Sequence, residues 1–138
     1  MSGKPRVSAK VDLMKAYDSV SWVFLMDLLD ILGFPSDIKK WINACVTSPK
    51  YSINFNGESV GYFNGAKGIR QGDPLSPYLF ILAMDTLSQL LHHNISNGPF
   101  TYHWKCDKLH ISHLCFVDDL LLLFNGDVES AKLISFIS

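Results

Sequence analysis

Long apolar runs are missing from this chain. Hydrophobic residues make up 48% of it, yet nowhere do about 20 follow one another without a break, so no segment reads as a membrane-spanning helix. The opening Met1-Ser2-Gly3-Lys4-Pro5-Arg6 has no apolar stretch of the kind that makes a secretory leader, and the expectation is an intracellular protein without a membrane partner. Cysteine is scarce. Cys45, Cys106 and Cys115 form no close pair, which excludes a disulfide framework and suits a reducing compartment. An excess of basic charge is also lacking: 12 Lys and Arg stand against 13 Asp and Glu, for a net charge of −1. That balance argues against a free-standing nucleic-acid binder, whose phosphate contacts leave a basic signature. There is no internal repeat, low-complexity tract or composition break, and 138 residues suffice for one domain with a real core.

What is present centres on Phe116-Val117-Asp118-Asp119-Leu120. Ile111 to Val117 alternates before turning apolar, and Leu120 to Phe124 is apolar until Asn125-Gly126. Short runs bounded by turn residues read as buried strands. An uncompensated buried carboxylate is very costly, so an acidic pair between two such strands must sit at an exposed turn, face a cation, or both. A hard cation takes few protein carboxylates and leaves its other positions to water and phosphate. Asp12, ending the strand-like Ala9 to Leu13, is the candidate partner acid. Three carboxylates from two strand ends could hold two metal ions about 3.5–4 Å apart, the arrangement suited to in-line phosphoryl transfer. Cys106, His110, His113 and Cys115 supply zinc-type ligands, but their spacing fits no finger pattern, and they read as core cysteines and surface histidines.

Taken in order, residues 1–8 read as a polar lead-in, followed by a strand over 9–13 and a turn over 15–20. Ser19 or Ser21 can cap a helix over 22–32, with Phe24, Leu25, Leu28, Leu29 and Leu32 on one face and Gly33 at its end. A second helix is expected over 36–47, with Ile38, Trp41, Ile42 and Cys45 buried. Alternation on both sides of Asn56-Gly57 predicts a hairpin. Gly68 to Pro77 is a loop whose glycines let main chain approach a ligand. A long helix over 77–93 carries enough apolar residues to be buried on more than one side. A linker over 94–99, a short strand over 100–104, a turn over 105–108, the acidic hairpin over 109–124 and an amphipathic helix from Asp127 complete the chain. That last helix carries Ala131, Leu133, Ile134 and Ile137 and meets no stop signal before Ser138, so a truncated chain is expected. The pattern is α+β, with an antiparallel sheet backed by helices.

Three segments carry a resemblance: Lys10-Val11-Asp12-Leu13-Met14-Lys15-Ala16-Tyr17-Asp18, then Gly68-Ile69-Arg70-Gln71-Gly72-Asp73-Pro74-Leu75-Ser76-Pro77, then Phe116-Val117-Asp118-Asp119. In this order and spacing they resemble the palm of reverse transcriptases from non-long-terminal-repeat retrotransposons, the long interspersed element type, and the resemblance covers the chain from about Arg6 onward. Val117 departs from the alanine usual there and could crowd the primer end.

The resemblance implies a ferredoxin-like palm whose fingers and thumb are absent from residues 1–138. It implies RNA-directed DNA synthesis, with an RNA template, a DNA primer and dNTP as partners and two Mg2+ ions, or Mn2+ in their place. Asp12, Asp118 and Asp119 would be catalytic, and Asp12, Leu13, Asp118 and Asp119 would form the metal set. Tyr17 would lie under the sugar and exclude a 2′-hydroxyl by clash. Gln71 with Gly72 would meet the incoming nucleotide, and Arg70 a phosphate. Asp18 reads as a helix-start acid. The polymerase would work in the nucleus when acting on chromosomal DNA, and the fragment alone would have little or no processive activity. Two alternatives stand beside this: an inactive or domesticated remnant, and an unrelated binding module whose acidic turn faces solvent.

Overall fold

The computed structural model describes residues 6–13, 15–117 and 119–135. In chain order the elements are β1 (Arg6–Asp12), α1 (Ala16–Ser19), α2 (Trp22–Ile31), α3 (Ser36–Thr47), β2 (Lys50–Phe55), β3 (Glu58–Asn64), α4 (Ser76–Asn97), β4 (His113–Phe116), β5 (Asp119–Asn125) and α5 (Val128–Ser135), with a 3-10 turn over Asp107–Leu109. The fold is α+β with antiparallel sheets. It divides into two compact units, Met1–Met14 with Met84–Ser138, and Lys15–Ala83.

The first unit is built on a three-stranded sheet in the order β1-β5-β4, with both pairings antiparallel. Although β5 is apolar almost throughout, only Leu120, Leu122 and Phe124 are buried, because successive residues point to opposite faces of a strand. With Leu91 of α4 they form the core, against which Val7, Ala9, Val11, Leu87, Phe100 and Ile134 pack. The buried Leu91, Leu120, Leu122 and Phe124 contribute about 1.5–3 kcal/mol each. Asp127 starts α5: its carboxylate accepts the Ser130 N–H and hydroxyl, both at 2.9 Å. Ser130 is fully buried, and its hydroxyl oxygen accepts the Thr101 N–H at 3.0 Å. Desolvation would raise the Asp127 pKa, but the hydrogen bonds from Ser130 outweigh it and hold the carboxyl below its ordinary value.

In the second unit Ser21 caps α2, accepting the Phe24 N–H at 3.4 Å. Gly33, at φ +74°, ends it with paired bonds, Gly33 N–H to the Asp30 carbonyl and Phe34 N–H to the Leu29 carbonyl, both 3.0 Å. Helices α2 and α3 pack on each other and are joined by the Lys39–Asp30 ion pair. Strands β2 and β3 meet at Asn56-Gly57, both with positive φ, as the two-residue hairpin turn requires.

Several expectations shift. Strand β1 begins at Arg6 because Val7 pairs with Phe124 and packs on the core, so 6–8 are not lead-in; residues 1–5 lie outside the described residues. The turn expected at 15–20 contains the single-turn helix α1. Of the stripe expected on α3, only Ile42 is buried, alongside Val46 one turn on, while Ile38, Trp41 and Cys45 are exposed. Phe24 and Leu32 likewise stand outside the buried face of α2. Helix α4 runs through the expected linker to Asn97, since Ile95 is buried one turn beyond Leu91. It is not buried all round, for Tyr78, Ile81 and Leu90 are exposed. The strand expected over 100–104 is a lone bridge, Tyr102 to Phe124, because the Thr101 N–H is taken by Ser130 instead of a ladder. Ile134 of α5 meets the core as expected; Ile137 lies outside the described residues, and so does the side chain of Leu133.

Candidate active site

Asp12 ends β1 and Asp119 begins β5, and the two are register partners. Since Val11 and Leu120 turn to the core, Asp12 and Asp119 turn to the opposite face. Directly opposed residues hold their Cβ atoms about 4.5–5.5 Å apart, and like charges so placed repel. Lys10, two residues before Asp12 and so on the same face, offsets this repulsion: its Nζ lies 2.9 Å from Asp119 Oδ2. Both partners are well exposed, so the pair adds little stability. The lysine carried no role in the sequence reading; its i−2 spacing from an acid on a strand is the signal that finds it.

Asp118 lies outside the described residues. Phe116 and Asp119 are register partners, so two residues separate β4 from β5, and Val117, the first of them, has φ +53°. The buried strand expected over 111–117 is therefore the shorter β4, and it is not buried: Leu114, Cys115 and Phe116 are exposed. A β-branched residue at positive φ is a strained turn residue. Leu13, half-buried, follows β1. Among the described residues no group of three or more His, Cys, Asp or Glu could hold a metal. The two described acids offer hard oxygen donors on one accessible face, the chemistry that suits Mg2+.

The zinc-type residues form no site among the described residues. Both ring nitrogens of His113 are engaged, Nε2 with Ser88 Oγ at 2.7 Å and Nδ1 with Ser112 Oγ at 2.9 Å. His110 lies edge-on to Tyr102. The cysteines are not in the core as expected, for Cys45 and Cys115 are exposed and Cys106 is half-buried; partial desolvation still raises the Cys115 thiol pKa, toward the neutral form.

The remaining predicted residues belong to the second unit. Tyr17 lies on α1, where Asp18 sits in the first turn as expected. The Tyr17 ring stacks on Phe80, with centroids 4.5 Å apart and planes 16° apart. Phe80 is a distant residue that no local pattern connects to Tyr17. Arg70, Gln71 and Gly72 are exposed, on a loop as expected. Upstream, the Ile69 N–H donates to the Tyr17 carbonyl and the Gly68 N–H to the Val20 carbonyl, both at 2.8 Å. Downstream, Asp73 closes a turn: its N–H donates to the Arg70 carbonyl at 3.3 Å, and its Oδ1 accepts the Leu75 N–H at 2.8 Å.

Residues 2–138 match the family described as Reverse transcriptase (RNA-dependent DNA polymerase). The chain belongs to this family. Among curated relatives, this reverse transcriptase domain is 30% identical over 129 residues to a Retrovirus-related Pol polyprotein from the type-1 retrotransposable element R2 of Popillia japonica, a match covering 94% of the chain and 20% of the relative. It is 34% identical over 114 residues to the corresponding polyprotein of the type-2 element R2DM of Drosophila melanogaster, covering 83% of the chain and 10% of the relative. An uncharacterized mitochondrial protein of Arabidopsis thaliana is 42% identical over 65 residues, 46% of the chain and 53% of that protein. The reverse transcriptase domain is thus of the non-long-terminal-repeat retrotransposon kind, and it spans a fifth or less of the two polyproteins.

Proposed function

We propose that this chain is the palm of a retrotransposon polymerase that extends a DNA primer on an RNA template by two-metal nucleotidyl transfer. The register pairing of Asp12 with Asp119 on a solvent-facing sheet surface is the observation that carries this reading. In it, Asp12 and Asp118 are the principal ligands, Asp119 assists, and Leu13 can contribute only its main-chain carbonyl. The two bound Mg2+ ions would supply an acidified primer 3′-hydroxyl and charge to steady the departing pyrophosphate. The protein's own part is position and charge. Tyr17 excludes a ribose 2′-hydroxyl, while Arg70, Gln71 and Gly72 meet the triphosphate and the base pair being formed. Fingers and thumb from a longer polyprotein would grip template and primer, which accounts for a near-neutral palm.

The test is thermal melting of the chain during a Mg2+ titration. Binding to the folded state alone adds about 2.7 kcal/mol at one hundred times the dissociation constant, so the midpoint should rise, and Asp118→Asn or Asp12→Asn should abolish the rise. A midpoint indifferent to Mg2+, or raised equally in both variants, would refute the metal site and leave an acidic turn at solvent.

A further inference from the structure

Trp22, the first residue of α2, has no part in the motifs, yet its indole Nε1–H donates to the main-chain carbonyl of Gly68 at 2.6 Å. Gly68 is also where the nucleotide loop leaves its anchorage. Its own N–H is held by the Val20 carbonyl, and the next N–H, that of Ile69, by the Tyr17 carbonyl. There is no slack in this contact. With φ +93°, Gly68 lies so close to α1 that a Cβ would stand 2.9 Å from the Asp18 Cα and carbonyl oxygen. Gly65 is held less tightly, for a Cβ there would touch the Trp22 ring at an ordinary 3.5 Å and crowd the Tyr51 ring at 3.1 Å. Ile69 is buried, whereas the three residues after it are exposed, and the Asp73 turn then fixes the far end. Arg70, Gln71 and Gly72 are therefore a short exposed span between two rigid ends, and one of those ends is pinned by a side chain.

We propose that Trp22 is a positioning residue for nucleotide binding: its hydrogen bond to Gly68 sets where Arg70–Gly72 stand relative to Tyr17. This rests on the reading of Tyr17 and the loop as nucleotide contacts. A binding loop gains affinity from being held in its bound conformation beforehand, and losing one hydrogen bond that leaves a part-buried carbonyl unpaired is worth about a tenfold change in an equilibrium.

The experiment compares wild type, Trp22→Phe and Tyr17→Ala by amide hydrogen exchange and by the response of the Gly72 amide resonance to dATP and to ATP, each with Mg2+. Phe keeps a ring beside Gly65 and removes the donor, and amides within α2 report that the helix remains folded. In Trp22→Phe the Gly68 and Ile69 amides should exchange about tenfold faster and dATP should bind about tenfold more weakly, while dATP is still preferred to ATP because Tyr17 keeps its stack on Phe80. Tyr17→Ala should lose the preference instead. Unchanged exchange at Gly68 and Ile69, or unchanged dATP affinity in Trp22→Phe, would overturn the role of Trp22 alone if Tyr17→Ala still loses the preference. A wild-type chain whose Gly72 amide ignores dATP would overturn both this role and the reading it rests on.

Discussion

His113 is the residue whose chemistry the fold alters most plainly. Its ring bridges Ser88 on α4 and the buried Ser112, and the neutral imidazole serves both, donating from one nitrogen and accepting at the other. Desolvation, and secondarily the nearby His92, lower its pKa from the ordinary 6.5. The unfolded chain therefore takes up the proton at a pH where the folded chain does not, and stability must fall as pH drops below 6.5 toward the depressed folded value. Urea unfolding at pH 7.5 and 5.5 should show that loss, and His113→Gln should reduce it. An equal pH dependence in the variant would mean that other groups carry it. Lys10 and Val117 make a different point at the same scale. The three acids and the Gly68–Pro77 loop were legible as motifs, but the ion pair on Asp119 and the positive φ of Val117 follow from which residues the sheet sets side by side.

Among the elements, α5 depends most visibly on one cap. Asp127 accepts two bonds from Ser130, which in turn holds Thr101, so Asp127→Ala should cost about 1 kcal/mol, read as a lower urea midpoint with an unchanged slope. An amide keeps one acceptor oxygen where the carboxylate has two, so Asp127→Asn should recover part of the loss by accepting the Ser130 N–H alone. Elements defined by such local chemistry were readable in advance. Asn56-Gly57 dictates its turn, and Ser21 and Gly33 bound α2 as expected. Failures came where a distant partner decided the outcome. Helix α4 continues past His93 because Ile95 finds a buried place, and α3 turns Trp41 outward because the buried line is Ile42–Val46. The same limit applied to the candidate site: Tyr17 could be named from its motif, but neither its stack on Phe80 nor the Trp22–Gly68 bond has any trace in local sequence.

For the molecule as a whole, the two units differ in how they are assembled along the chain. Lys15–Ala83 is contiguous, whereas the other unit joins Met1–Met14 to Met84–Ser138, and β1 pairs with β5 from opposite ends of the sequence. Pairings so remote in sequence are slow to form, because the loop must close before any contact repays it. Deleting residues 1–12 would strip the half-buried Val7, Ala9 and Val11 from the side of the core, at somewhat less for each valine than the about 1.5–3 kcal/mol of full burial, and would turn the central strand β5 into an edge. Amide protection in β4 and β5 should collapse, while that of α2 and α3 persists. Protection retained in β5 would show that β1 is dispensable. The pairing of β1 with β5 also has a consequence for errors in folding. A slip by one position would swing Asp12 to the apolar side of the sheet, and a slip by two would set some residue other than Asp12 across from Asp119. On the proposed two-metal reading a misaligned molecule would lack the paired acids altogether, so Mg2+ binding itself would report whether the two ends of the chain had met in step.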